Sequence, residues 1–113
     1  MKKIVIFAGT TEGRRLSEIL ADAGIAHTVC VATEYGEIVM REQTDAEAVR
    51  AKEQPIVSLH CGRMDRKQME EFLRNEGYEI VVDATHPYAQ VVTENIRDAV
   101  ETQSSIYLRL ERE

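Results

Sequence analysis

Five short runs of branched apolar residues recur along the chain, separated by stretches whose apolar positions repeat every three or four residues. That alternation narrows the fold more than any other feature. The first run, Lys3-Ile4-Val5-Ile6-Phe7-Ala8, is continuously apolar after its lysine, as in a strand buried on both faces. Leu16, Ile19, Leu20 and Ala23 then repeat at helical spacing across 14–23, and Gly24 stands where a helix stops. Residues 27–32 predict a second strand. The interval after it is less regular. Ile38-Val39-Met40 reads as a short extended piece, and Thr44 with Glu47 has the spacing of a capping box, opening a helix that Pro55 ends. Residues 56–60 predict a third strand. Asp65 and Gln68 form another capping-box pair ahead of a helix through Met69, Phe72 and Leu73 to Gly77, and residues 79–83 predict the fourth strand. Pro87 fits the first turn of a helix carrying Val91, Val92, Ile96 and Val100, and residues 106–110 predict the fifth strand.

Strands alternating with helices predict a parallel sheet covered on both faces. Right-handed crossovers then favour the strand order 3-2-1-4-5, a Rossmann-like three-layer αβα arrangement in the α/β class. A length of 113 residues fits one domain. Charge narrows the partners: 14 Lys and Arg against 20 Asp and Glu leave −6, which argues against nucleic-acid binding through bulk charge. The longest apolar stretch, from Ile4 to Ala8, is too short to cross a bilayer, and Thr10, Thr11, Glu12 and Arg14 interrupt it before a signal peptide could form. A cytoplasmic location is the expectation. Cys30 and Cys61 make no disulfide framework and read as reduced, small hydrophobic residues; no metal site is expected from them with His27 and His60.

In such sheets ligands bind beyond the carboxyl ends of the strands, where strand order reverses. Three segments converge there. Gly9-Thr10-Thr11-Glu12-Gly13-Arg14 joins the first strand to its helix. Glycine lets backbone approach a phosphate, helix-start amides favour an anion, and the hydroxyls of Thr10 and Thr11 would add donors. The spacing is GxxxG, without the middle glycine of GxGxxG, and the same turn also suits a ligand-free α/β domain. Thr33-Glu34-Tyr35-Gly36 follows the second strand. Glu34, about twenty residues past the glycine turn, is placed to hold ribose hydroxyls and to repel a 2′-phosphate, a repulsion that Arg14 or Arg15 would offset. Asp83-Ala84-Thr85-His86-Pro87-Tyr88-Ala89 is the most unusual segment. An aspartate ending a buried strand is costly unless it finds hydrogen bonds or a ligand. Thr85 or His86 would cap the following helix, His86 would donate to a carboxylate or phosphate, and Tyr88 would line a flat pocket. Gly62-Arg63-Met64-Asp65 adds another helix start on the same rim, with Arg63 placed to meet an anion. No Ser/His/Asp or Cys/His arrangement stands out, and no Walker lysine follows the first glycine turn.

Residues 6–14, 32–36, 62–64, 83–89 and 107–112, in that order, resemble the N-terminal domain of the precorrin-6A reductase family, cobalt-precorrin-6A reductases included. Asp-Ala-Thr-His-Pro-Tyr-Ala at 83–89 and Leu-Arg-Leu-Glu-Arg at 108–112 are the specific parts of the match. The resemblance implies a reductase that uses NADPH or NADH to reduce one double bond of a tetrapyrrole in cobalamin biosynthesis, cofactor and substrate lying in a cleft between two similar α/β domains. By match, Gly9, Thr10, Thr11, Glu12 and Gly13 would contact the cofactor, with Thr33 and Glu34 near its adenosine end. Gly62, Arg63, Thr85, His86 and Tyr88 would face the cleft, the last four to bind substrate; no residue is assigned to catalysis. The family continues into a second α/β domain where this sequence stops at Glu113. The expectation is therefore a single domain over 1–113, with the second domain absent, that turns over poorly by itself and exposes a face through which it could form a homodimer. The residues alone leave open two other readings: a non-catalytic nucleotide- or anion-sensing α/β module, and a dehydrogenase- or epimerase-like fragment, which would lack the Tyr-x-x-x-Lys pair often used there.

Overall fold

A strand with apolar side chains at every position has no face to offer water, so it must lie inside a layered structure. A computed structural model describes residues 3–32, 56–87 and 89–111, and it puts that strand, β1 (Ile4–Ala8), at the centre of a five-stranded sheet. Along the chain follow α1 (Thr11–Asp22), β2 (His27–Val31), β3 (Val57–Cys61), α2 (Arg66–Glu76), β4 (Ile80–Ala84), α3 (Gln90–Glu101) and β5 (Ile106–Arg109). The strands pair in parallel in the order β3-β2-β1-β4-β5, as the crossover rule predicts.

The two-residue period of β1 divides the core. Val5 and Phe7 join Met69 and Leu73 of α2 and Ile96, Ala99 and Val100 of α3 on one face. Ile6, with Ile4 and Ala8, joins Leu16 and Leu20 of α1 on the other. Val5, Ile6, Leu73, Val81 and Ile96 are fully buried, and each such side chain contributes about 1.5–3 kcal/mol through burial.

The helix ends show which sequence signals were right. Gly24 (φ 73°) closes α1: its amide reaches the Ala21 carbonyl at 3.0 Å and the Ile25 amide reaches Leu20 at 2.8 Å, the paired bonds of a Schellman end. The Asp65–Gln68 capping box forms in both directions, at 2.8 and 2.9 Å. Three expectations are corrected. Helix α1 starts at Thr11, three residues before the apolar repeat suggests, because the Thr10 hydroxyl accepts from the Gly13 amide and caps it. Helix α3 starts only at Gln90, so Pro87 is not in its first turn, and its N-cap, Ala89, has no side-chain bond. A separate turn, closed by the Ala89 amide on the His86 carbonyl at 2.9 Å, comes between. Cys61 is exposed at the end of β3, whereas Cys30 is buried, its thiol pushed up to about 12 by burial. The extended piece at 38–40 and the helix between Thr44 and Pro55 lie outside the described residues.

Among the described residues no helix is long and apolar enough to cross a membrane.

Candidate functional site

Strand order reverses between β1 and β4: the chain leaves β1 toward β2 on one side and later returns to β4 on the other. The crevice beyond their carboxyl ends is where parallel sheets of this kind receive ligands. Two turns meet there. Gly9 follows β1, and a Cβ built on it would lie 3.5 Å from the Thr85 Cα and 3.6 Å from the His86 nitrogen, the turn that follows β4. Gly9 therefore brings bare backbone against the second turn, and its own outer side is exposed.

The other small residues of the first turn are committed to holding it. The Thr10 hydroxyl donates its one proton to the Ala84 carbonyl at 2.8 Å while accepting from Gly13, which leaves it no proton for an anion. Gly13 is buried, and a Cβ there would stand 2.8 Å from the Ala84 Cβ, too close for two carbons. Its lack of a side chain lets α1 sit directly on β4, which starts the helix at the crevice. Thr11, the first helical residue, is exposed, and the positive end of the α1 dipole opens beside it.

The second turn is built on a buried charge. Asp83 is fully buried, with its carboxylate surrounded by donors. Oδ1 accepts from the Thr85 hydroxyl at 2.6 Å, from Arg109 Nη1 at 2.9 Å and from the Thr85 amide at 3.1 Å; Oδ2 accepts from the Tyr107 hydroxyl at 2.7 Å. Arg109 Nη1 also reaches the Thr85 Oγ1 at 3.1 Å, and Arg109 Nε reaches Glu111 at 3.0 Å. Burial would raise the Asp83 carboxyl, but the bonds from Thr85, Tyr107 and Thr93 outweigh it and hold the group below its ordinary value. Tyr107 shifts the opposite way, upward, through burial and the adjacent carboxylate, so it remains a donor. Thr85 is itself buried, its hydroxyl shared between Asp83 and Thr93 Oγ1 at 3.2 Å; this draws it away from capping α3. His86 is exposed on the rim.

The structure thus brings Gly9, Thr10, Thr11 and Gly13 together with Thr85 and His86. Gly62 lies past β3, its amide bonded to the Val31 carbonyl at 2.9 Å, and Arg63 is exposed beside it. Three strand spacings separate β3 from β4, about 14 Å, so Arg63 marks the far end of the same rim. Glu12 is half-buried in the first turn of α1. Thr33, Glu34 and Tyr88 lie outside the described residues. Sequence reasoning assigned no role to Tyr107 or Arg109. The signal available was the requirement of a buried aspartate for a cation: Arg109 is the one cation of β5, and it stands in register with Asp83.

A family model described as Precorrin-6x reductase CbiJ/CobK matches residues 3–113. The chain is 33% identical over 109 residues to the cobalt-precorrin-6A reductase of Salmonella typhimurium, covering 96% of this chain and 37% of that protein. It is 30% identical over 109 residues to the cobalt-precorrin-6A reductase of Priestia megaterium, covering 96% and 38%. Among solved structures, CobK precorrin-6A reductase superposes with a TM-score of 0.77 at 25% identity, over 100% of this chain and 40% of that one. The chain spans less than two-fifths of the length of these two curated relatives.

Proposed function

The chain belongs to the precorrin-6x reductase family, and from that premise we propose that it is the cofactor-side domain of a reductase that reduces one double bond of precorrin-6A or cobalt-precorrin-6A in cobalamin biosynthesis. The observation that carries the cofactor half of this reading is the crest at Gly9: side-chain-free backbone at the point where strand order reverses, next to the exposed start of α1.

These residues fit a nicotinamide dinucleotide. Gly9 admits a diphosphate close to the backbone, and the α1 N-terminus favours its charge. Gly13 sets the helix deep enough to be reached. Thr10 contributes by tying the turn to β4 through Ala84. Thr33 and Glu34, past β2, are proposed for the adenosine end, Glu34 holding the ribose hydroxyls and disfavouring a 2′-phosphate. NADPH or NADH supplies the hydride when bound. Arg63, past β3, and His86, past β4, are proposed to meet the carboxylates of the tetrapyrrole, and Tyr88 its flat ring. Thr85 serves from within, holding the turn that presents His86. The relatives are more than twice as long as the matched region, and we assign the second wall of the cleft to the part of them that this chain does not match.

Parallel calorimetric titrations of the chain with NADH and NADPH test the reading. Saturable binding of either supports it, and the ratio of the two affinities measures how far Glu34 selects against the 2′-phosphate. Gly9→Val should leave the domain folded, since the Cβ has ordinary van der Waals room, and weaken that binding at least about tenfold by blocking backbone approach. A folded variant with unchanged affinity would place the dinucleotide elsewhere.

A further inference from the structure

The Asp83 cluster ties together parts of the chain that the sheet alone leaves loosely joined. Edge strand β5 has only four residues, and it supplies Tyr107 to one carboxylate oxygen and Arg109 to the other. The same carboxylate takes both the amide and the hydroxyl of Thr85. Arg109 Nη1 closes the ring by reaching Thr85 Oγ1 and, at 3.3 Å, the Asp83 carbonyl; the Leu110 amide reaches that carbonyl at 2.9 Å. Thr85 and His86 are the residues against which Gly9 lies. Backbone leaving a strand without such bonds would be free to move by rotation about Ala84 and Thr85; here the first residue past β4 is held by its amide and its side chain at once.

We infer that Asp83, Tyr107 and Arg109 are positioning residues for the ligand crevice: through Thr85 they fix the β4 turn against the Gly9 turn and so set the gap that a bound nucleotide enters. The consequence for affinity rests on the dinucleotide reading proposed above; the consequence for the turn does not. The ionised state of Asp83 is maintained well into acid by the donors around it, so the clamp is permanent at neutral pH.

The test uses Tyr107→Phe, which removes one hydroxyl and keeps the ring, with hydrogen exchange followed residue by residue. Exchange of the Thr85 and Ala89 amides should quicken at least about tenfold, the worth of one hydrogen bond to a charged group, while core amides such as those of Ile6 and Val29 change less than about twofold. Ser17→Ala, which removes a buried hydroxyl at the other end of the sheet, serves as a control that lowers stability without touching the clamp. The variant should also bind the dinucleotide about tenfold more weakly than the unaltered chain, with no such loss in Ser17→Ala. Unchanged exchange at Thr85 and Ala89, or an equal rise in the control, overturns the inference. So does local loosening with undiminished affinity for a dinucleotide that the unaltered chain binds. If the unaltered chain binds neither NADH nor NADPH, the dinucleotide reading fails and the exchange data alone decide whether the clamp holds the turn. Should Tyr107→Phe not fold, Arg109→Lys, which keeps the charge and loses the fork, is read by the same two measurements.

Discussion

At the carboxyl end of the sheet Asp83 keeps its charge in the interior, and at the amino end His27 gives its charge up. Both side chains are buried, yet their surroundings differ in kind. Donors from Thr85, Tyr107 and the Arg109 guanidinium surround Asp83, and against the opposing effect of burial the bonds from Thr85 and Tyr107 lead in holding its carboxyl below the ordinary value. His27 has two neutral partners: the Ile25 carbonyl accepts from Nδ1 at 2.9 Å, which leaves Nε2 to accept from the Ser17 hydroxyl at 2.6 Å. Burial lowers its pKa, only partly countered by the Ile25 bond, and the ring stays neutral. The comparison teaches that a fold can bury a polar group cheaply when it need only join two elements, as His27 joins α1 to β2. A buried charge with a full set of donors is a larger investment, and here it stands where the chain turns into the crevice.

The comparison can be broken most sharply at Arg109. Arg109→Met leaves a fully buried carboxylate without its cation and should lower unfolding free energy by about 3–5 kcal/mol, measured by urea denaturation at neutral pH. A loss below about 1 kcal/mol would mean that the remaining donors suffice. Gly13→Ala tests the helix seat beside the same crevice: the added methyl group meets Ala84 at 2.8 Å and should cost about 1–3 kcal/mol, read the same way. Ser17→Ala should cost less, about 1 kcal/mol, because it removes one neutral hydrogen bond.

The two ends should also separate on a pH scale. A histidine whose folded pKa is lowered gives the unfolded chain the greater affinity for protons below its ordinary value of 6.5. Stability should therefore fall as pH drops below about 6.5, with a His27 contribution of at most about 1.4 kcal/mol per pH unit, and His27→Gln should remove that contribution. Asp83 acts in a different window. Its folded pKa is lowered from 3.8, so its contribution persists above that value and is lost only as pH falls through the folded pKa. Chemical denaturation at pH 7, 6, 5, 4, 3 and 2 resolves the two; no change between pH 7 and 5 would remove His27 from the account.

Much of the fold was legible from local pattern. The unbroken apolar run of β1 required a central strand, the handedness of crossovers gave the order of the rest, and Asp65 with Gln68 marked a helix start to the residue. The failures cluster at the crevice. Pro87 suggested a helix start because proline suits a first turn, but the Asp83 carboxylate captures Thr85 and the chain makes a separate turn before α3 begins. The cost of burying Asp83 was legible, whereas its solution was not: Tyr107 and Arg109 lie 24 and 26 residues away, and only the β4–β5 register brings them to it. Thr10 was read as a donor to an anion; its bond to Ala84, 74 residues on, could not be seen from the turn alone.

The place of β1 between β2 and β4 also has a consequence for synthesis. Ile4 pairs with Ile80 and Ala8 with Ala84, so one edge of β1 is completed by a partner 76 residues behind it in synthesis. At about 5–20 residues per second that partner follows some 4–15 s later. Throughout that interval the most apolar segment of the chain has an open edge, and the nascent chain is then at its greatest risk of pairing with the wrong neighbour.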